Sequence, residues 1–596
     1  MHDPIAEELF RNAIVAIGDE MVLTIYRTAY SGVLKNIMDY SAAVCDAKGR
    51  LVAQGLSLPG HLCSIPVALG ACLRHFGDDV ADGDVLAVND PYDGGMHLPD
   101  IFLFRPVFAA GRPIAWAATI CHHTDVGGRV PGSNASDSTE IYAEGLRIPP
   151  LKLLERGRWN TTLVRMIERN VRVPVRVMGD LRAQLAACEI AIRGIGDLVA
   201  RHGADGVITL MNATMDHSER LTRHCLAELP DGEATFTDWI DDDQIDAGKP
   251  IPLVCTVTKR GEHMRFDWTG SSPQVKGAIN NTWSYTAAAS FTAAKTILSV
   301  NMPNNDGVFR CIEVIAPPGT ITNALPPAAC AARGLTGFRC VDAAFGALAL
   351  LYPGRVFAAS DGGNVCVSLG GYRADRKPFI YVDFFTGAWG GRPWSDGPQG
   401  NANLCSNISS PSVEVTEVEQ PLQILAYEFL PDAMGAGQYR GGAPFRRDYL
   451  MREKEGTIQV RNDRCAFRPF GLYGGSPGRI GCNVLNPGSN REKRLAGKVT
   501  LTIKCGDVFR YEMAGAGGWG DPLERDPARV LSDIRNEYVT AALAREQYGV
   551  IVDTQSWHVD YEKTAKLRRA MRGRRAWSKP PFIDRGELPP GAQTTK

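Results

Sequence analysis

Two largely apolar runs, residues 101–108 and 113–121, are separated by only four residues, Ala109-Ala110-Gly111-Arg112. Strand-like runs this close, with a turn between them, predict an antiparallel hairpin. Residues 41–45 and 50–53, around Asp46-Ala47-Lys48-Gly49, predict another. A parallel pair instead needs a crossover of roughly a dozen residues or more. A regular doubly wound parallel sheet across residues 84–121 is therefore not expected. Counting outward from the midpoint between Ala110 and Gly111 sets Asp100 opposite Cys121 and next to His122, at the open end of the hairpin.

The rest of the chain continues the mixed pattern. Asp3-Pro4 can cap and open a helix over residues 4–30, since Asp suits the cap and Pro the first helical position. A shorter helix is expected over 65–76 and a buried strand over 84–89. Pro174 opens a long amphipathic stretch that ends near Gly203, and residues 204–226 supply a further helix. The resulting division is a metal-binding α+β region (1–158), a helical segment (159–230) and a second α+β region (231–352). After these come a strand-rich, Gly-rich region (353–525), C-terminal helices (526–572) and a disordered tail (573–596). The expected fold class is α+β: mixed, largely antiparallel sheets, a central helical segment and a strand-rich, Gly-rich C-terminal half.

Composition removes several function classes. Lys+Arg number 65 and Asp+Glu 66, for a net charge of −1, so no basic footprint for nucleic acid is expected. No apolar run approaches the ~20 residues of a membrane span. The 15 cysteines include no C-x-x-C pair, which excludes a zinc knuckle. The N-terminus, Met1-His2-Asp3-Pro4-Ile5-Ala6-Glu7-Glu8, lacks the charged-then-apolar pattern of an export leader. Reduced thiols and a cytoplasmic location are the expectation. No G-x-x-x-x-G-K-[S/T] phosphate loop occurs, and the glycine-rich runs 435–442 and 515–520 lack its lysine. They read as tight turns or close backbone approaches. Cys121, within an apolar strand, reads as a structural thiol.

Chemistry concentrates around the hairpin's open end. Three of the 11 histidines fall between residues 97 and 123, in Met96-His97-Leu98-Pro99-Asp100 and Cys121-His122-His123-Thr124-Asp125. The hairpin gathers His97, Asp100 and His122. Two imidazoles and a carboxylate suit zinc, manganese or iron and leave positions open for water or substrate. A fourth ligand is expected from another strand end, and Asp39, just before the first hairpin, is placed for it. Asp39 as a turn cap, and the other three as a polar hairpin end with core histidines, are the alternatives.

These residues also carry a resemblance. Asn89-Asp90-Pro91 with Gly94-Gly95-Met96-His97-Leu98-Pro99-Asp100, His122-His123-Thr124-Asp125-Val126-Gly127-Gly128 and residues 140–150 resemble the signature of the hydantoinase B/oxoprolinase family. Gly179–Gln184, Tyr439–Gly442 and the glycine-rich run before Asp521-Pro522 extend the likeness to about Tyr548. The 434–437 segment departs from it, having a less complete glycine run.

The resemblance implies a metal-bearing subunit acting with a hydantoinase A-type ATPase subunit, in a hetero-oligomer expected to be a heterotetramer. The family's metal ligands match Asp39, His97, Asp100 and His122, with zinc as the expected ion and manganese or iron as alternatives. ATP would be bound by the partner. The implied reaction is ATP-dependent opening of a hydantoin, lactam or 5-oxoproline ring; the alternatives are an ATP-dependent ketone carboxylase subunit and a non-catalytic scaffold. Asp125 and Glu144 are the expected general bases, their other readings being partners that orient a ligand imidazole or surface carboxylates.

Overall fold

The computed structural model describes residues 4–61, 63–298, 302–363, 366–385, 387–402, 404–575, 579–589 and 592. Helix α1 (Pro4–Thr28) is followed by β1 (Tyr40–Asp46), β2 (Leu51–Gln54), α2 (Ser64–Phe76), β3 (Val85–Val88), and the hairpin β4 (Asp100–Ala109) and β5 (Arg112–His122). With β6 (Leu151–Glu155) and β7 (Arg158–Trp159) they form a seven-stranded sheet ordered β2-β1-β5-β4-β3-β6-β7. Every neighbouring pair in it is antiparallel. Helix α3 (Thr161–Asn170) leads to α4 (Pro174–Ala227), whose run is interrupted at Gly203, with φ 71° and ψ 163°.

Both faces of this sheet are covered, which explains why its strands are apolar along their whole length. Side chains alternate along β5. Ala115, Ala117 and Cys121 pack with Phe10, Ile14 and Met21 of α1 and with Ala187, Cys188 and Ala191 of α4. Trp116, Ala118 and Ile120 turn the other way, into the main core with Ile65 and Leu69 of α2.

A second sheet lies beyond that core. Its strands are β8 (Gly232–Ile240) and β10 (His263–Asp267), each antiparallel to the central β9 (Ile251–Arg260), and β11 (Ile312–Ile315), parallel to β10. Helices α5 (Trp283–Ile297) and α7 (Gly334–Leu351) fill the space between the two sheets, with the short α6 (Asp306–Phe309) linking them. One apolar cluster joins Phe102 and Trp116 of the first sheet, Ala288, Leu335 and Phe345 of the helices, and Leu253, Val257 and Phe266 of the second sheet. Helix α7 is therefore mostly apolar, and the two charges it buries, Arg339 and Asp342, are paired with Asp238, Asp463 and Arg464.

The strand-rich half contains two sheets packed face to face. Pro378–Phe384, Cys366–Tyr372, Glu455–Arg461 and Lys498–Lys504 form one. Leu422–Phe429, Phe445–Met451, Val508–Glu512, Cys482–Leu485 and Lys493–Leu495 form the other. Val367, Tyr381, Ile458 and Val460 meet Phe445, Tyr449, Phe509 and Tyr511 between them. The two glycine-rich runs interlock. Tyr439 and Trp519 exchange backbone hydrogen bonds at 3.0 and 2.9 Å, and a Cβ on Gly435 would lie 2.4 Å from the Gly518 nitrogen. Backbone contact this close requires glycine.

The architecture is the α+β class with mostly antiparallel sheets. The tail requires a correction. Ile583–Asp584 forms a short strand paired with Gly471–Leu472. Arg585 lies over the rings of Phe236 and Trp239 at 4.4 and 4.9 Å, and its guanidinium donates to the Thr237 carbonyl at 2.7 Å. An aromatic platform and a waiting carbonyl order residues that have no periodicity of their own. Of the expected tail, residues 576–578, 590–591 and 593–596 lie outside the described residues.

Candidate metal centre

The site begins with a register slip. In the β4–β5 hairpin, Ala109 pairs with Arg112 and Phe108 with Pro113, but Val107 pairs with Ala115. Ile114 is the extra residue of a β-bulge, and the shifted register brings Asp100 opposite His122. This corrects the expected pairing of Asp100 with Cys121. Directly opposed residues share a face, and a slip of one residue changes which face that is. Without the bulge Asp100 would share a face with Cys121, which packs toward α1 and α4. With it, Asp100 and His122 project together toward α5 and α7.

Strand β1 contributes the next position. Tyr40 pairs with Cys121, and the His122 N–H donates to the Asp39 carbonyl at 3.0 Å. Asp39, His122 and Asp100 thus stand in a row across three neighbouring strand ends. His97 joins from the preceding loop, where the Asp100 N–H donates to the His97 carbonyl at 3.0 Å. His123 points to the opposite face, where its Nε2 contacts Gln184 Oε1 at 3.1 Å.

Three of these side chains converge on one point. Ligand-type atoms of His97, Asp100 and His122 all lie within 4.8 Å of one another, the one such group among the described residues. His97 Nε2 and Asp100 Oδ1 are 3.2 Å apart. Among the described residues, these two atoms and both ring nitrogens of His122 are buried without a hydrogen-bond partner. Buried polar atoms are nearly always satisfied. One atom from each of the three residues converges unsatisfied, the donor set a cation would complete, and this nitrogen and oxygen chemistry fits a divalent metal. His97 Nδ1 lies 3.0 Å from the Ala331 carbonyl. That acceptor holds the proton on Nδ1 and leaves the Nε2 lone pair directed at the convergence point. Asp39 borders the same cavity but stands outside the tight group; its Oδ1 is 3.9 Å from His61 Nε2.

The electrostatics suit the same role. Burial pushes His97 down to about 4 and His122 well below its ordinary range, with Arg333 reinforcing both. Neutral imidazoles are the form that binds metal. Burial opposes ionisation of Asp100, yet His97 and Arg333 outweigh it and hold the carboxyl well below the usual range. The Arg333 guanidinium donates to Asp100 Oδ2 at 2.6 Å. Among the described residues Asp39 has no such partner, and burial together with the nearby Asp100 pushes it up to about 7.

Asp125 and Glu144 do not line this cavity. Asp125 accepts from the Arg172 backbone N–H (2.7 Å), the Arg172 guanidinium (2.8 Å), the Gly132 N–H (3.1 Å) and the Gly127 N–H (3.3 Å). Its oxygens tie the 125–132 loop to the start of the helical segment, which differs from the general-base place expected for it. Glu144 Oε1 accepts from the N–H groups of Cys330 and Ala331, each at 2.8 Å. It thereby anchors the segment whose Ala331 carbonyl orients His97. Burial pushes Glu144 up to about 8. Glu144 therefore supports the ligand geometry from behind, while Asp125 holds its own loop.

The cavity in front of the ligands is small, about 20 Å³, and its wall includes Asp39, His61, Tyr285, Arg333, Phe384 and Arg461. His61, Arg333 and Arg461 carry no sequence signal comparable to H-x-x-D. His61 sits in a single turn after β2, Arg333 at the start of α7, and Arg461 at the end of a strand in the C-terminal half. Only packing brings them together. His61 Nδ1 lies 2.9 Å from Ser41 Oγ, which accepts from the Leu58 N–H.

Comparison with known proteins extends this geometry. The profile of the family described as hydantoinase B/oxoprolinase matches residues 3–522. The chain is 30% identical over 590 residues to a subunit of the putative D-/L-hydantoinase of Pseudomonas sp. (strain NS671), covering 95% of this chain and 98% of that one. Among solved structures it is similar to the ATP-dependent caprolactamase from Pseudomonas jessenii, with TM-score 0.89 and 30% identity over 96% of this chain and all of that chain. A nucleotide-free acetone carboxylase structure shares the fold, with TM-score 0.86 and 20% identity over 96% of this chain and 83% of that one.

Proposed function

The chain belongs to the hydantoinase B/oxoprolinase family, and from that membership we propose that it is the metal-bearing subunit of an ATP-dependent cyclic amide hydrolase. The observation that carries the reading is the buried, unsatisfied convergence of His97 Nε2, Asp100 Oδ1 and His122. His97, Asp100 and His122 would hold a divalent ion, zinc by preference, with Asp39 as the fourth ligand. Such an ion, when bound, supplies Lewis-acid polarisation of a carbonyl oxygen and lowers the pKa of a coordinated water. Arg333 keeps Asp100 ionised for this role, and Ala331, anchored by Glu144, fixes the tautomer of His97. His61 is the group placed to exchange a proton with a molecule in the cavity, because its Nδ1 is engaged by Ser41 while the ring borders the space beside Asp39.

The sequence has no phosphate loop, and relatives are named as subunits. Both facts support placing ATP in a separate ATPase subunit of the hydantoinase A type, in a hetero-oligomer. The test is reconstitution. The purified chain should bind one divalent ion and show no ATP-dependent ring opening alone, and adding the ATPase subunit should restore opening of a hydantoin, a lactam or 5-oxoproline. Turnover by the isolated chain would refute the split. Bicarbonate-dependent consumption of a ketone in place of ring opening would move the chain to the carboxylase reading.

A further inference from the structure

Residues 29–38 separate α1 from Asp39, and their backbone is unusual. Val33–Ile37 form a π-helical turn, and Met38, at φ 62° and ψ 37°, closes it in the left-handed region. A residue with a Cβ is disfavoured there and persists only where its surroundings over-determine it. Turns of this kind are rare and concentrate at functional sites. The N–H groups of Met38 and Asp39 both donate to the Val33 carbonyl, so the position of Asp39 follows from where the turn begins. The C-terminal half closes over the other side of the turn. The Ser409 N–H donates to the Ile37 carbonyl at 2.8 Å, and Val33 and Ile37 pack with Ile380, Val382 and Phe384.

The turn begins in a socket on α4. Asp180 Oδ1 accepts from the Tyr30 N–H at 2.7 Å and from the Ser31 N–H at 3.1 Å. The Tyr30 ring lies directly on Gly179, where a Cβ would stand 2.2 Å from Tyr30 Cγ. Only glycine leaves that room. Ser31 passes the constraint forward: its carbonyl accepts from the Lys35 N–H at 3.0 Å and its hydroxyl from the Leu34 N–H at 3.3 Å. Asp180 and Ser31 are both fully buried, where hydrogen bonds are strong and a lost partner is costly.

One helical turn further on, Gln184 holds the hairpin. Its Nε2 donates to the Ile101 carbonyl at 2.9 Å and to Thr119 Oγ1 at 3.2 Å, and its Oε1 contacts His123 Nε2 at 3.1 Å. Ile101 follows Asp100, and His123 follows His122. One face of α4, behind the sheet, therefore grips the chain beside two of the ligands and at the lead into a third position. This gives the Gly179–Gln184 run a physical role. Asp180 itself lies outside the cavity wall, so it acts through the backbone alone.

We propose that Asp180 is a positioning residue for the metal centre: by fixing Tyr30 and Ser31 it sets the π-helical turn, and with it the place of Asp39 relative to His97, Asp100 and His122. This deepens the reading of Asp39 as the fourth ligand and rests on it.

The test measures zinc affinity of the full chain by competition with a chromophoric chelator, on variants whose circular dichroism matches the wild type. Asp180→Ala should weaken zinc binding by about 10–100-fold, the usual worth of a partner behind the ligands. Asp180→Asn keeps an oxygen facing the two N–H groups and should stay within about threefold of the wild type. In the Asp39→Ala background, Asp180→Ala should cause no further loss, because residues that act through one another are non-additive. A merely structural role would not show that dependence on Asp39. Should Asp180→Ala fail to fold, Ser31→Ala, which removes the acceptor for the Leu34 N–H, carries the same comparison. Unchanged affinity in the folded variant, or an equal loss with and without Asp39, would overturn the positioning role and leave the metal centre standing. Wild-type affinity in Asp39→Ala would remove Asp39 from the ligand set and this proposal with it. Failure of the wild type to take up zinc would overturn the metal centre itself.

Discussion

His97 and His122 are the residues on which the metal reading turns. His97→Ala and His122→Ala should each lower metal affinity by more than about 100-fold, since even partners behind the ligands cost 10–100-fold. Both should leave the circular dichroism spectrum unchanged, because the surrounding core is large; elemental analysis of the folded variants decides. Asp125→Asn should keep the metal and lose about 3 kcal/mol of stability, the cost of breaking a buried ion pair with Arg172. Metal loss in that variant would mean the 125–132 loop supports the ligands directly. Glu144 makes a pH prediction. Its folded pKa, about 8, lies above the 4.5 of an ordinary glutamate, so the folded state holds a proton that the unfolded chain releases. That stabilisation is complete below about pH 4.5 and is lost as pH rises through 8, with a slope of at most about 1.4 kcal/mol per pH unit. Glu144→Gln, which mimics the protonated acid, should flatten this slope in denaturant unfolding followed from pH 5 to 9.

At the scale of elements, a one-residue bulge near a hairpin tip decides which side chains meet seven residue pairs away. The apolar runs, the turn and the antiparallel direction of β4 and β5 are legible in the sequence, as is the closeness of Asp100 to His122. The bulge at Ile114 is not, because a count from the turn assumes uniform pairing, and both registers bury apolar side chains on both faces. Packing of Trp116, Ala118 and Ile120 into the main core, and of Ala115, Ala117 and Cys121 against α1 and α4, selects between them. The helical segment offers a cleaner case. Gly203 marks its break in sequence and adopts φ 71° and ψ 163°, a region essentially restricted to glycine. No atom crowds a Cβ there, so Gly203→Ala should cost only the backbone strain, about 1–3 kcal/mol. A denaturation midpoint shift measures it, and an unchanged midpoint would show that the α4 break relaxes freely.

At the scale of the whole molecule, the C-terminal segment returns to the middle of the chain. Arg585 covers Phe236 and Trp239 and lies 3.6 Å from Asp238, a carboxylate already shared by Arg339 and Arg464. Arg585→Ala should lower stability by about 2 kcal/mol, chiefly through a desolvated cation–π contact. Metal binding should be unaffected, since Arg585 lies outside the cavity wall. Thermal unfolding with and without the substitution, followed by elemental analysis, would check both halves of the expectation.

The sequence alone determined what local chemistry can express. Alternating and helical apolar spacing marked the elements, four-residue turns set strand direction, and H-x-x-D with a second histidine brought ligand-type atoms to one hairpin end. The motifs also identified the family. Tertiary structure decided what depends on distant packing. The register that turns His122 toward Asp100 follows from two competing core faces. The carbonyl that orients His97 comes from Ala331, and the cations facing the ligands come from Arg333 and Arg461, more than 200 and 300 residues further along the chain. No spacing rule links residues so far apart, because their meeting is produced by α7 and the C-terminal sandwich closing over a sheet that is buried on both faces.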